Sequence, residues 1–141
     1  MTSKKQLEQL ICKSYCHWFL KPLIGNEGDL FQADFVVLSH GLGDDPCLTY
    51  GNQKALTLWE YSWEQFTQMP SRLTAEPNLQ EDRATLLLDV QKQGFSENYA
   101  GVRISASGRR FQIQNATVFN LIDEKGHYTG QAAFFTYWNY L

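Results

Sequence analysis

The change of hydrophobic period at Gly94 constrains this chain more than any other feature. From Cys47 a short β-patterned segment, 47–51, runs straight into a small amphipathic helix, and a second helical block follows. After Gly94 the period becomes two. Three long β-patterned stretches follow, over 95–104, 110–121 and 130–140, with turns at Ser107-Gly108 and Glu124-Lys125-Gly126. Upstream, 35–40 and 47–51 read as a hairpin around the turn Gly41-Leu42-Gly43-Asp44-Asp45-Pro46. Helices are expected over 53–60 with Asn52 as N-cap, from the capping-box spacing Ser62-Trp63-Glu64-Gln65, and over 79–93 with Gly94 as the stop. The tally is an α+β order: a helix, two strands, several short helices and three strands.

The segment 4–20 reads as an N-terminal amphipathic helix with Leu7, Ile11, Ser14 and Trp18 on one stripe, ended by Lys21-Pro22. A loop is expected over 25–28. In the last strand Phe134 and Trp138 take one face by alternation, and Phe135 and Tyr137 the other. Both faces of the sheet are therefore expected to be covered, and the N-terminal helix is the cover for the outer one. It lies either on its own sheet or on a second copy, which makes Leu7, Ile11, Trp18, Phe135 and Tyr137 candidates for a cap or homodimer interface. We divide the chain into a cap and loop, 1–29, and a sheet-containing domain, 30–141.

Composition narrows the function classes. The net charge of −3, without a clustered basic block, argues against non-specific nucleic-acid binding. No stretch of about 18 apolar residues suggests a membrane span. The polar N-terminus and the odd count of 3 cysteines fit a cytoplasmic protein without a disulfide framework.

The residues Phe35-Val36-Val37-Leu38-Ser39-His40-Gly41, Tyr50-Gly51-Asn52-Gln53-Lys54-Ala55-Leu56, Pro70-Ser71-Arg72-Leu73-Thr74-Ala75-Glu76-Pro77, Ser107-Gly108-Arg109-Arg110-Phe111 and Gly130-Gln131-Ala132-Ala133 form a set. As a set they resemble the MEKHLA domain, a family related to the PAS sensor modules, over roughly the whole chain after Leu30. The six-letter motif that names the family is absent. The resemblance implies a PAS-like α+β fold, a five-stranded antiparallel sheet with short helices packed on one face and an N-terminal amphipathic helix, and it implies sensing of a ligand, redox state or light, or protein association, without a settled activity. It also implies which cofactors to look for. A covalent flavin adduct needs a cysteine in the helical middle, and Cys12, Cys16 and Cys47 all fall outside it. A coumarate-type chromophore needs a cysteine after Cys47, and an axial haem ligand needs a histidine within 79–93; neither is there. Non-covalent flavin stays open. Cys12, Cys16 and His17 are too few for a zinc site, so no metal is expected.

By period two, Phe111, Ile113, Asn115, Thr117 and Phe119 share one face of the fourth strand. Asn115 would then be an inward amide, needing a ligand, a water or a backbone group as partner. Asn98 and Tyr99 alternate as candidates on the preceding strand, whose phase is ambiguous, and Thr117 and His40 complete the set of ligand-binding candidates. The leading expectation is a non-enzymatic sensory or interaction module that binds a small ligand between sheet and helices and signals through a dimer or partner protein. A ligand-free dimerisation or scaffolding domain is the alternative. A small enzyme of the ketosteroid-isomerase type would require a base such as Asp34 or His40, and no acid–base constellation is visible by spacing.

Overall fold

A reciprocal cap starts the chain in this computed structural model, which describes residues 2–25 and 28–141. Ser3 Oγ accepts from the Gln6 backbone N–H at 3.1 Å, and the Gln6 carboxamide oxygen accepts from the Ser3 N–H at 2.8 Å. Helix α1 (Lys4–Phe19) follows, and Leu20 ends it in the left-handed region at φ 58°. Of the loop expected over 25–28, residues 26 and 27 lie outside the described residues. The order then is β1 (Val36–His40), β2 (Leu48–Gly51), α2 (Gln53–Trp59), α3 (Trp63–Phe66), two 3₁₀ turns (Ser71–Thr74 and Pro77–Leu79), α4 (Gln80–Gln93), β3 (Phe95–Ile104), β4 (Arg110–Ile122), β5 (Tyr128–Phe135) and β6 (Tyr137–Tyr140).

The strands form one antiparallel sheet ordered β2-β1-β5-β4-β3, with β6 also pairing with β4. The last strand expected over 130–140 is broken at Thr136, and its two pieces pair with successive halves of β4. The break changes the phase. Phe135 and Trp138 meet on the inner face with ring centroids 6.0 Å apart, whereas Phe134 faces outward against Tyr15. This corrects the expected pairing of Phe134 with Trp138.

Helices α2 to α4 cover the inner face, over a core that includes Leu48, Trp59, Phe66, Phe111, Ile113 and Phe135. The outer face is covered by α1 of the same chain: Ile11 and Tyr15 pack with Val37, Tyr50, Phe119 and Leu121. Tyr50 donates to Glu8 Oε2 at 2.6 Å and Trp18 Nε1 to the Asn120 carbonyl at 2.9 Å, so the helix is fixed by hydrogen bonds as well as apolar contact. Leu7, Ile11 and Trp18 are thus spent on their own sheet. Phe135 lies 1% exposed beneath the inner helices, which removes it from any interface, and only Tyr137 of that candidate set is open, at 64%. No helix among the described residues is long and apolar enough to cross a membrane.

Asn52 ties the inner layer to the sheet. It is fully buried. Its Oδ1 accepts from Ala55 N at 3.1 Å, which caps α2, and from Val37 N at 3.2 Å. Its Nδ2 donates to the carbonyls of Phe35 at 2.7 Å and Leu30 at 3.2 Å.

Asn115 and Asn98 sit where the β3–β4 ladder slips. Opposite Tyr99↔Ala116 and Gly101↔Ile113, β4 carries one residue too many; opposite Ser96↔Val118 and Tyr99↔Ala116, β3 does. Each surplus residue is a bulge asparagine at positive φ, Asn115 at 52° and Asn98 at 60°, a conformation asparagine tolerates better than most side chains. The two slips cancel, and pairing resumes in register beyond them. Both side chains are exposed. The expected inward Asn115 is therefore corrected: simple alternation fails at the bulge. Ile113, Ala116 and Val118 share the inner face, and Thr117 falls with Phe119 toward α1.

Two stability outcomes are expected. Asn52→Ala leaves four buried backbone groups short of a partner and should lower the unfolding free energy by about 3 kcal/mol, read from urea midpoints. Asn115→Gly should leave stability within about 0.5 kcal/mol of the parent, whereas Asn115→Val, forced to positive φ, should lose about 1–2 kcal/mol.

Candidate functional site

The inner layer does not close completely. Between the sheet and α2 and α4 lies a cavity of about 60 Å³. Its walls are mostly apolar, with Leu86 from α4, Ile113, Ala116 and Val118 from β4 and Phe135 from β5. The polar groups reaching it come from four places: Ser71 and Thr74 on the first 3₁₀ turn, Arg83 on α4, Tyr99 and Arg103 on β3, and His40 with Gln131 at the β1–β5 pair. Among the described residues no Asp or Glu lines it.

Local structure explains how the arginines arrive there. Past the Asn98 bulge, Tyr99, Gly101 and Arg103 alternate inward on β3. Arg103 is only 8% exposed; its guanidinium donates to the Tyr99 hydroxyl at 3.0 Å and the Val102 carbonyl at 2.9 Å. Gly101 makes this possible, because a Cβ there would collide with the Tyr99 hydroxyl and the Arg103 guanidinium. Arg83 is partly buried and donates to Ser71 Oγ, while Thr74 Oγ1 donates to the Ser71 carbonyl at 2.8 Å. Burial and then the repulsion of Arg103 pull the Arg83 guanidinium down to about 10, which still leaves it charged at neutral pH. Among the described residues the ion pairs are Arg72–Asp45, Arg110–Glu76 and His127–Asp123; neither Arg83 nor Arg103 is in one. Trp59, whose indole is 1% exposed, also lines the cavity, and its Nε1 has no hydrogen-bond partner.

At the other end, His40 Nδ1 lies 3.0 Å from the Gly41 carbonyl and Nε2 lies 3.1 Å from Gln131 Oε1. Gln131 Nε2 donates to the Leu87 carbonyl at 2.7 Å and to Asn120 Oδ1 at 3.3 Å, which turns Oε1 toward the imidazole. Both ring nitrogens thus face acceptors, and a neutral ring, with one N–H, can donate to only one of them. Burial, and less strongly Arg83, hold His40 below its ordinary value against the two acceptors that favour the charged form. Asn120 continues the chain by donating to the Gln91 carbonyl at 3.1 Å and accepting from Trp18 of α1 through its own carbonyl.

Of the ligand candidates, His40 and Tyr99 line the cavity; Asn115, Asn98 and Thr117 do not. Asp34 is exposed and outside the cavity as well. Arg83, Arg103, Ser71, Trp59 and Gln131 were not legible as site residues. The one available signal was the period-two triplet Tyr99, Gly101, Arg103. None of the three cysteines lines the cavity: Cys12 and Cys16 lie on α1, and Cys47 is exposed before β2. Burial and then Glu8 push the Cys12 thiol up, away from reactivity.

With this geometry established, three comparisons bear on the chain. The MEKHLA domain family profile matches residues 5–140. No curated protein sequence matches. Among solved structures, the light-state dimer of the fungal blue-light photoreceptor Vivid superposes with a TM-score of 0.65 at 14% identity, covering 95% of this chain and 95% of that one. A PAS domain of a protein from Colwellia psychrerythraea gives 0.63 at 17% identity, over 72% of this chain and 84% of that one. A light-oxygen-voltage domain studied with a flavin analogue gives 0.58 at 18% identity, over 76% of each. At these identities the likeness is one of fold: an α+β sheet of the PAS and light-oxygen-voltage type with an N-terminal helix.

His40 makes stability depend on pH in a stated direction. Its pKa is lowered on folding, so the unfolded chain takes up the proton first as pH falls. The stabilising contribution is complete above about pH 6.5 and is lost progressively below it. Urea midpoints should therefore fall between pH 7.5 and pH 5, and His40→Gln should flatten that slope relative to the parent.

Proposed function

The chain belongs to the MEKHLA domain family, and we propose that it is a non-enzymatic sensory module that takes a small ligand into the cavity between its sheet and α2–α4. The observation that carries this reading is the cavity itself: apolar walls with a few convergent polar groups, the form ligand sites commonly take. The output route is the hydrogen-bonded chain from Gln131 through Asn120 to Trp18, which runs from the cavity wall to α1 on the opposite face. A ligand that shifts Gln131 changes the seat of α1, and the signal passes on by self-association or to a partner protein. Flavin does not fit this site. A cavity of about 60 Å³ is well below the roughly 300 Å³ of sites for drug-sized molecules, and no thiol stands at it. Catalysis is not favoured either, because His40 has no carboxylate beside it in the cavity to complete an acid–base pair.

A thermal-shift panel of small neutral, cationic and anionic metabolites tests the reading. A compound at about 100 times its Kd adds about 2.7 kcal/mol, and for a domain of this size that raises Tm by several degrees. At least one chemical class should produce this shift in the parent, and Ala116→Val, which fills the cavity, should abolish it. A panel without any shift, together with a native mass of twice the chain weight, would instead assign a ligand-free scaffolding role.

A further inference from the structure

The cavity gathers donors, and no carboxylate among the described residues lines it. Two guanidinium groups face one largely apolar space, and no carboxylate lies within 4.0 Å of either among the described residues. Neutral acceptors satisfy only part of them: Ser71 Oγ for Arg83, and Tyr99 with the Val102 carbonyl for Arg103. Each guanidinium carries five N–H donors, and these protein acceptors take up one from Arg83 and two from Arg103, so both groups keep donors for a ligand or for water from the cleft that Arg83 also lines. The Trp59 indole N–H adds a further buried donor with no acceptor. Two cations drawn together at one largely apolar cavity, Arg103 8% exposed and Arg83 partly buried, repel each other, and an anion between them would offset that cost.

We propose that this cavity is the receptor for a small monocarboxylate, held by Arg83 and Arg103 with its short apolar tail against Ile113, Ala116 and Val118. The inference rests on the ligand-sensing reading above and names the ligand class. Planar guanidinium groups match a carboxylate in bidentate fashion. The cavity is two-sided, polar where Arg83, Arg103, Ser71 and Tyr99 meet and apolar along β4. A carboxylate with an alkyl tail has that same asymmetry. A phosphate carries oxygens on every side and would set some of them against leucine, isoleucine and valine without a donor. Size limits the ligand further: a cavity of about 60 Å³ suits a molecule well below drug size. Entry is available beside α4, where Arg83, His40, Leu87 and Gln131 line both the cavity and a surface cleft. That cleft also carries Asp44, Asp45 and Glu81, of which Asp45 is engaged by Arg72 at 3.0 Å.

The test uses the Trp59 indole N–H resonance in ¹H–¹⁵N NMR of the full chain, assigned by its loss in Trp59→Phe, at constant ionic strength. Sodium acetate, propionate and butyrate are titrated against propionamide and inorganic phosphate. Saturable movement of the Trp59 resonance with propionate and not with propionamide is expected. Arg83→Gln and Arg103→Gln should each weaken propionate binding at least tenfold. Should either glutamine variant fail to fold, Arg83→Lys and Arg103→Lys keep the charge, lose the planar fork, and should still weaken binding. Equal binding of propionamide, or propionate affinity indifferent to both arginines, would overturn the carboxylate assignment while leaving a sensory pocket in place. Saturation by phosphate and by no carboxylate would overturn it in favour of a different anion. If no probe moves the Trp59 resonance and no class in the thermal panel shifts Tm, the inference and the sensory reading fall together.

Discussion

The buried carboxamide of Asn52 is the constraint on which the rest of this fold depends. It is the residue at which β2 turns into α2, so the direction of the chain there decides whether the helix lies over the sheet or leaves it. One side chain answers that with both of its polar ends. Its oxygen holds the first turn of α2 and the β1 backbone together, and its nitrogen pins the two carbonyls of the segment that leads into β1. Trp59 at the far end of α2 is thereby delivered to the sheet, where it stacks edge-on against Phe111 at 5.2 Å. The wall of the cavity follows from that placement.

The paired bulges act on the opposite wall. A single bulge would have left β3 and β4 out of register for the rest of their length, since one extra residue exchanges the two faces of everything beyond it. Two bulges on facing strands restore the register and confine the exchange to each strand's own continuation. β4 can therefore present Ile113, Ala116 and Val118 to the inner layer while Phe119 and Leu121 serve α1. The same slip on β3 turns Tyr99 and Arg103 inward, although Phe95, four residues earlier, packs on the α1 side with Phe19 at 4.8 Å. The polar end of the cavity is a consequence of the Asn98 bulge.

The order of elements was legible because it rests on local signals: the period change at Gly94, the cap at Asn52, the capping box at Ser62 and the hairpin turns. The five-stranded antiparallel sheet with helices on one face came with the family resemblance, and the order of its strands came from the structure. The candidate site was less legible, for a specific reason. Inward placement was argued from strict alternation, and alternation is a rule about unbroken strands. Asn115 looked like an inward amide because it was counted through a bulge that its own positive φ creates. Phe135 looked like an interface residue because it was counted through the break at Thr136. Arg83 and Arg103 gave no warning, since arginine in a polar helix or a strand ordinarily reads as surface, and their convergence joins residues 20 positions apart across two layers.

The arginines also bear on how α4 is held. Among the α4 residues whose side chains are described, only Val90 is buried, and no side chain caps its start. Its hold on the sheet comes through a few contacts at its C-terminal half, where Gly94 at φ 103° lets the Trp18 ring lie against the backbone and the Gly94 carbonyl accepts from Asn120 at 2.8 Å. The N-terminal half instead carries Arg83 toward a second cation. The two guanidinium groups repel each other there, and the carboxylate proposed above would offset that repulsion. The fixed end of the same helix leads through Gln91 and Asn120 to α1.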